Sequence, residues 1–503
     1  MFVQPLAGAR TPASPAPSFR PLRLVAALTL AVGLQAPALA SPASDIADLK
    51  KALAALKSDY GKRIDALETQ LHDTQAELAK AKAANAAAPV AAASAPATAV
   101  AEAPAPVAPI APPGTVAVDT SVAAPSGEAA GGATAFNPQI SLILSGTYAH
   151  TSQDPGQARI TGFALPPGAD IGVGSRGFSL AESELALAAN IDPWLAGNIN
   201  LSITGDDTIS AEEAFITTTA LPDGFVLKAG RFFSGIGYLN SQHSHTWDFV
   251  DNPIAYQAML GTQYADDGVQ LHWLAPTDQY MEFGLEAGRG RSFPGDNSSR
   301  NAAGMAAFTF HTGGDIGDST SWRAGLSYLQ ASANGQALQD FGSNGSEADE
   351  QFTGRTHVVI ADGVLKWAPN GNATRTYFKL QGEYMQSRRS GDLAVDGEPS
   401  AGLHQIQSGG YIQGVYQFMP MWRIGLRTER LDPGHADYGA NDFALNATSY
   451  HPTKNSLMID FSESEFARFR LQFAQDRSRQ GFVDNQFLLQ YQTALGAHGA
   501  HAY

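Results

Sequence analysis

The chain has no cysteine among its 503 residues, which excludes a disulfide framework and any thiolate metal site. Beyond the N-terminus it also lacks a run of about 20 uncharged apolar residues, so a membrane crossing would have to use strands. Basic residues are scarce: 32 Lys plus Arg stand against 48 Asp plus Glu, a formal charge of −16. This balance argues against nucleic acid and anionic lipid surfaces as main partners.

The first 40 residues have the pattern of a secretory signal peptide. Arg20 and Arg23 precede an apolar segment, Leu24 to Leu34, and a small-x-small cleavage motif ends at Ala40. A membrane anchor is the alternative, and it is disfavoured because the apolar run is too short to span a bilayer. We therefore expect residues 1–40 to direct export.

Residues 41–83 are expected to form a periplasmic α-helical coiled coil. Mostly apolar residues recur at alternating steps of three and four, so they form a narrow stripe along an otherwise polar helix. Such a stripe favours self-association over a single amphipathic helix packed on another surface. The stripe consists of Ile46, Leu49, Leu53, Leu56, Tyr60, Ile64, Leu67, Leu71, Thr74 and Leu78. Residues 84–136 are rich in Ala and Pro and predict an extended, semi-rigid linker.

Residues 137–503 have the pattern of a transmembrane antiparallel β-barrel of about 16 strands. Short segments alternate apolar and polar residues; for example, Ile199, Leu201 and Ile203 alternate with polar neighbours. This alternation gives a strand one apolar and one polar face, as the wall of a membrane barrel requires. Short turns alternate with longer connections, which insertion from one side of a membrane produces. This asymmetry favours a barrel over a secreted β-sandwich or solenoid.

The longer connections are expected on the external side of the membrane. They are residues 150–176, 234–265, 330–356, 388–404 and 431–454. The second of these is the third external connection along the chain, because a shorter one precedes it, and we expect it to fold inward and narrow the lumen.

Histidines in and beyond that connection suggest metal binding. His243 and His245 in an extended segment present both imidazoles on one side, where they could share a zinc ion with Asp248 or Asp251. His498 and His501 form a second pair near the end of the sequence. Histidines placed on a surface by chance are the alternative interpretation. Apart from Zn²⁺ as a bound or transported ion, no cofactor is expected.

A barrel of this size encloses an aqueous lumen, whose charged residues set ion preference. The residues predicted to line the pore are Glu282, Glu286, Arg323, Glu383, Arg423, Arg427, Arg468 and Arg470. The arginines would form a basic ladder with acids facing them across the lumen. The acidic balance of the chain leans toward cations, although acids on external loops could simply solvate those loops.

Catalytic activity is not expected. Ser244 lies between two histidines with Asp248 nearby, which is the nearest approach to a hydrolase site. No nucleophile-elbow or other hydrolase motif accompanies it.

The export signal, heptad segment, Ala/Pro-rich linker and sixteen-strand pattern together resemble the phosphate-selective porin O/P type and the siderophore porins with N-terminal coiled coils. More narrowly, residues 228–237, 243–249 and 497–501 resemble a proteobacterial family of zinc-regulated outer-membrane porins or receptors. The resemblance implies an outer-membrane protein that takes up zinc when zinc is scarce. The chain departs from phosphate porins in its few barrel lysines and acidic charge, and from energised receptors in lacking a folded plug domain.

We therefore expect an outer-membrane porin, surrounded by lipid and assembled as a homotrimer, that passes small solutes passively. Cations or zinc are the leading prediction for the solute. A siderophore porin, an anion (phosphate) porin, and a structural tether between the outer membrane and the cell wall are the alternatives.

Overall fold

The computed structural model describes residues 138–206, 208–296, 301–341, 347–445, 447–464 and 466–496. The predicted signal peptide, coiled coil and linker lie outside these residues, as do His498 and His501. Across the described ranges, no helix is both long enough and apolar enough to cross a membrane.

The described chain folds into one antiparallel sheet. Its strands are β1 (Gln139–Thr151), β2 (Gly177–Leu180), β3 (Ser183–Asn190), β4 (Leu195–Ile203), β5 (Ile209–Thr218), β6 (Phe225–Phe233), β7 (Ala265–Leu274), β8 (Tyr280–Gly288), β9 (Met305–Ile316), β10 (Thr320–Phe341), β11 (Glu347–Trp367), β12 (Tyr377–Val395), β13 (Ala401–Met419), β14 (Trp422–Asp437), β15 (Thr453–Ser464), β16 (Ala467–Arg477) and β17 (Asp484–Gly496). Apart from β2 and β3, neighbours along the chain pair with one another, and β1 also pairs with β17, so the sheet closes into a barrel.

The wall contains sixteen strands, as the sequence predicts. β2 and β3 both pair with β1 and are separated only by Ala181 and Glu182, so they are two halves of one wall strand. An even number of antiparallel strands returns both ends of the barrel to the side of the short turns.

The wall has one apolar and one polar face. On β14, Ile424 and Leu426 are exposed, whereas Arg427 and Glu429 are buried inside the barrel. Alternate residues of a strand point to opposite sides, so the exposed apolar residues of successive strands form an outer belt that suits lipid. The inner face keeps the polar and charged residues.

Two of the predicted external connections, residues 330–356 and 388–404, are strand over much of their length, contrary to expectation. β10 and β11 have 22 and 21 residues, and β12 and β13 have 19 each, far more than the roughly 9–11 that cross a bilayer. The reason is a second apolar cluster inside these extensions, which includes Leu338, Phe352, Leu393 and Leu403. Burial of this cluster favours continued strand pairing beyond the membrane.

The third external connection folds into the lumen. Residues 234–264, called the inner loop below, join β6 to β7 and contain the seven-residue helix α1 (Ile254–Leu260), all of which is buried. The loop forms hydrogen bonds with residues of β3, β5, β8, β12, β14 and β16. A segment that touches strands all around a closed barrel must lie inside it.

Candidate functional site

The inner loop is anchored at the centre of the barrel by Glu383 of β12. Its carboxylate accepts hydrogen bonds from the backbone N–H groups of Tyr238 (3.0 Å) and Leu239 (3.1 Å). It also accepts from the hydroxyls of Tyr256 (2.8 Å) and Tyr411 (2.6 Å). Glu383 is only 4% exposed, and a buried carboxylate is tolerated when such donors replace water. This predicted pore-lining residue therefore positions the loop.

The two predicted glutamates of β8 have different surroundings. Glu286 accepts hydrogen bonds from the hydroxyl of Ser234 (2.6 Å) and the backbone N–H of Gly235 (2.8 Å), at the start of the inner loop. Glu282 instead lies between His272 and His311. Both glutamates are buried on the inner face, so one anchors the loop and the other belongs to a separate cluster.

A buried ion network attaches the inner loop to β14 and β15. Asp251 of the loop pairs with Lys454 (2.6 Å) and Arg427 (2.7 Å), and Arg427 also contacts Glu429 (2.7 Å). Gln472 donates a further hydrogen bond to Asp251 (2.7 Å). Burial alone would raise the pKa of the Asp251 carboxyl, but Lys454 and Arg427 hold this pKa well below its ordinary value.

A second network joins the loop to the wall nearer the short turns. Asp248 pairs with Lys379 and with Arg423 (Nη1 to Oδ1, 3.1 Å), and Arg423 also pairs with Asp460. Burial would raise the pKa of Asp248, but Lys379 and Arg423 lower it below its ordinary value. Asp248 is therefore a charged partner of the basic residues on β12 and β14, which are called the basic wall below.

The remaining predicted arginines also face the interior. Arg470 donates a hydrogen bond to the backbone carbonyl of Trp247 (2.6 Å), and Arg468 donates one to the carbonyl of His245 (2.7 Å). The guanidinium of Arg323 lies 5.3 Å from the ring centroid of Tyr238, also in the loop. The predicted basic ladder thus lies on the inner face, and much of it holds the inner loop.

The opposite wall presents carboxylates to the two histidines of the loop. His243 lies near Glu184 (3.3 Å), Glu212 (3.5 Å) and Glu213 (3.1 Å). His245 contacts Glu184 at 2.8 Å. Burial lowers the pKa of His243, but the three carboxylates outweigh burial and raise this pKa well above its ordinary value. The three carboxylates therefore favour the protonated form of the His243 ring.

A β-bulge creates this carboxylate group. Asn200 pairs with Glu213 and Leu201 pairs with Ala211, so Glu212 is an extra residue on β5. A bulge lets two consecutive side chains turn toward one side of a strand, which simple alternation forbids. Sequence periodicity therefore had no means of finding Glu212 and Glu213 together.

The structure brings together two of the residues predicted to bind metal, His243 and His245. The rings of His243 and His245 stack with centroids 5.7 Å apart. Donor atoms of Glu184, Glu212 and His243 lie within 4.8 Å of one another, close enough to share a metal ion. Asp248 is not brought to the histidines, because Lys379 and Arg423 hold it at the basic wall.

A closed sixteen-strand wall with an apolar outside, a charged interior and an inward-folded third loop defines an outer-membrane porin. The family model described as phosphate-selective porin O and P matches residues 187–456. The chain belongs to this family, and its place is the outer membrane.

The individual proteins that are similar to this chain have low sequence identity to it. A protein of Aquifex aeolicus (strain VF5) described as uncharacterized is 29% identical over 395 residues, which are 73% of this chain and 80% of that protein. Among solved structures, an anion-selective porin from Comamonas acidovorans is similar at 11% identity and a TM-score of 0.43, covering 72% of this chain and 100% of that one. OmpT of Vibrio cholerae in a trimer form is similar at 10% identity and a TM-score of 0.45, with the same coverage.

We predict that Asp251→Asn releases the inner loop. The change removes the carboxylate charge that Lys454 and Arg427 share across the loop contact, and loss of one partner of a buried pair costs about 3–5 kcal/mol. The inner loop should become sensitive to protease, and single-channel recordings should show larger, noisier conductance. Because the pKa of Asp251 is depressed, its stabilisation is present above the unfolded-state pKa and is lost only as strong acid protonates it, so the wild-type loop should stay attached in mild acid.

Asp278→Asn, at an exposed short turn, is the matched control and should behave as wild type. Protease resistance and conductance of Asp251→Asn equal to those of the control would contradict the assignment of Asp251 as a loop anchor.

Proposed function

We propose that this porin passes small anions, phosphate among them, by passive diffusion. The observation that carries the proposal is a group of basic side chains at the short-turn end of the lumen. They are Arg323, Lys366, Lys379, Arg423, Arg468 and Arg470. Membership of the phosphate-selective porin family agrees with this proposal. From composition alone, an anion porin is only the alternative, because the acidic charge leans toward cations.

The placement of this basic group follows from the strands. Arg323, Lys379 and Arg423 lie within the first four residues of β10, β12 and β14, and Lys366 is next to the last residue of β11. Antiparallel strands bring these positions to one level of the barrel, on the inner side. The six cations outnumber Asp248 and Asp460, the two carboxylates that pair among them. Rings of Arg and Lys favour anion passage, and guanidinium groups suit phosphate oxygens.

Acids on the opposite wall do not cancel this surplus at close range. Glu213 forms an ion pair with His243, and Glu184 contacts both loop histidines. The interior is therefore divided into a basic side and an acid–histidine side. An anion crossing the lumen would follow the basic side, where arginine and lysine replace part of its hydration shell.

We predict that Lys366→Gln weakens anion preference. Removal of one cation from the group should lower the anion-to-cation permeability ratio on the order of twofold, since a single charge at several ångströms changes ion energies by about 1 kcal/mol or less in a hydrated lumen. Reversal potentials of planar bilayers in a salt gradient measure this ratio. Lys366→Arg should keep it.

Arg375→Gln serves as the matched control, because Arg375 is exposed on the short turn before β12. A wild-type protein that prefers cations would contradict the anion proposal. Absence of any steady conductance would contradict the porin function itself and favour the structural tether.

Zinc or another divalent cation is the second candidate solute, because Glu184, Glu212 and His243 gather three metal-ligating groups inside the lumen. A carboxylate–imidazole set of this kind suits zinc. Protonation of His243 opposes metal binding, so the affinity should rise as pH increases.

We predict that His243→Ala combined with His245→Ala removes one zinc ion per chain in calorimetric titrations. Loss of a direct ligand should weaken the affinity by about tenfold or more, since loss of even an outer partner costs 10–100-fold. His404→Ala with His435→Ala replaces two exposed histidines and should leave the titration unchanged. If the stoichiometry and affinity of the first pair equal those of the control pair, this second candidate fails.

We also propose that the porin assembles as a homotrimer. The heptad stripe of residues 41–83 supports self-association, and a shallow apolar concavity on the outer face of β3 to β6 offers a contact surface with several small side chains among larger apolar ones. It includes Leu187, Ala189, Gly197, Ile199, Ala214 and Ile216. Small residues let two membrane walls approach closely.

We predict that Gly197→Trp converts trimers to monomers, because an indole at the centre of the concavity prevents close approach. Native mass spectrometry in detergent should count three chains for wild type and one for the variant. Leu285→Trp, on the exposed outer face of β8, should remain trimeric. A wild-type mass of a single chain would contradict the proposal.

A further inference from the structure

The outer surface of the barrel carries a basic patch immediately beyond the outer belt. This patch, called the outer patch below, consists of Arg355 and His357 on β11 and Arg388 on β12. Both arginines are exposed, and His357 is half-buried. The three residues continue the alternation of the belt residues on their strands, so their side chains point away from the lumen.

Strand register fixes the level of the outer patch relative to the membrane. On β11 the outward positions from Trp367 to Val359 are apolar or glycine, a span that suits the roughly 9–11 residues of a strand that crosses a bilayer. His357 and Arg355 are the next two outward positions beyond Val359, and Arg388 pairs directly with His357. The outer patch therefore lies at the level of the lipid head groups, at the end of the wall opposite the short turns.

No carboxylate of the described residues neutralises the outer patch. Arg388 donates hydrogen bonds to Oε1 of Gln386 (3.2 and 3.1 Å), which is a neutral group, and neither guanidinium forms an ion pair within the described residues. The nearest outward carboxylate on the described parts of β10 to β13 is Asp392, which lies further from the membrane than either arginine. The acidic balance of the whole chain therefore does not extend to this face.

The two arginines act on one point of the surface. Arg355 pairs with Ser390, and Arg388 pairs with His357, so the two arginines are diagonal neighbours, whose Cβ atoms are typically roughly 7–8 Å apart. Burial, together with the charges of Arg355 and Arg388, lowers the pKa of the His357 ring. Like charges so close destabilise a strand pair. An anion bound between the guanidinium groups would remove this repulsion.

Hydroxyl and imidazole groups surround the arginines. The hydroxyl of Tyr328 lies 2.7 Å from Nδ1 of His357, and Oγ of Ser390 lies 3.0 Å from Nδ1 of His404. A neutral His357 whose Nδ1 accepts from Tyr328 carries its proton on Nε2, which is then a further donor. The outer patch thus combines guanidinium groups, which suit phosphate oxygens, with neutral groups that suit sugar hydroxyls.

The outer patch faces lipid in the proposed trimer as well. The apolar concavity proposed as the trimer contact lies on β3 to β6, whereas the outer patch lies on β11 and β12. β7 to β10 separate the two surfaces on one side, and β13 to β17 together with β1 separate them on the other. A neighbouring subunit at the concavity therefore leaves the outer patch open to lipid.

We infer that the outer patch binds a phosphate group of a glycolipid in the external leaflet of the outer membrane. Arg355 and Arg388 would contact the phosphate oxygens, with His357 beside them. The acyl chains of this lipid would lie on the outer belt, against the exposed side chains of Val359 and Tyr384. This adjoining apolar surface favours a lipid over free phosphate. The inference does not depend on which solute crosses the lumen.

The test uses the full chain, purified in a neutral detergent and analysed by native mass spectrometry. The protein is titrated with lipid A, an acylated glucosamine disaccharide with two phosphates, and with the same lipid after removal of both phosphates. We expect lipid A to bind about tenfold more tightly or better, since each arginine beside an anionic lipid surface contributes about fivefold.

The variants locate the site. Arg355→Gln combined with Arg388→Gln should weaken lipid A binding by about tenfold or more, and Arg388→Gln alone by about fivefold. Arg375→Gln, on an exposed short turn, is the matched control for the single variant and should bind as wild type. Inorganic phosphate in excess should leave lipid A bound.

Each other outcome overturns the inference. Equal affinity for the two lipids would mean that phosphate is not recognised, and wild-type affinity in the double variant would place the lipid elsewhere. Displacement of lipid A by inorganic phosphate would assign the outer patch to free phosphate. The heat-modifiable folded form on gels shows whether the variants fold. If the double variant lost that form, Arg388→Gln alone would decide, with wild-type affinity overturning the inference and the fivefold loss supporting it.

Discussion

Lipid offers no hydrogen-bond partner to a peptide group, and this constraint shapes the whole molecule. Every wall strand must pair on both sides, which is why the first strand meets the last: Ser141 to Thr151 of β1 pair with Gly496 to Gln486 of β17. Closure then forces alternate side chains either into lipid or into the lumen. The exposed apolar belt and the buried charges inside are two consequences of the same requirement.

The charges inside the barrel are organised by the inner loop. Without it, Arg427, Lys454 and Glu383 would face water across an open lumen; with it, they bury against Asp251 and against backbone N–H groups. Because the loop carries Asp248 and Asp251 toward one wall and its histidines toward the other, it divides the interior. Cations from β10 to β16 gather on one side and carboxylates from β3 and β5 on the other. The arrangement of charges in the lumen therefore depends on the loop and wall together.

Much of the wall could be predicted from the sequence, since alternation of polar and apolar residues is a local signal. The strands around Ile199 and Ile424 are where the pattern placed them. The third connection folds inward as expected, although alternation does not encode this. The extended strands were missed because their inward apolar residues, such as Phe352 and Leu393, pack above the membrane on partners remote in sequence. The predicted zinc group was found in part: His243 and His245 meet, while Asp248 lies with Lys379 and Arg423.

The sequence by itself determined the two faces of the wall and the inward orientation of charged residues on regular strands, because strand geometry converts every second position into an orientation. Only the tertiary structure decided which of those charges meet. Glu212 turns inward through a bulge, Asp362 reaches His311 across Gly325, and Lys454 finds Asp251 about two hundred residues away. Such contacts depend on register, bulges and the path of one loop through the lumen, and no local pattern encodes these.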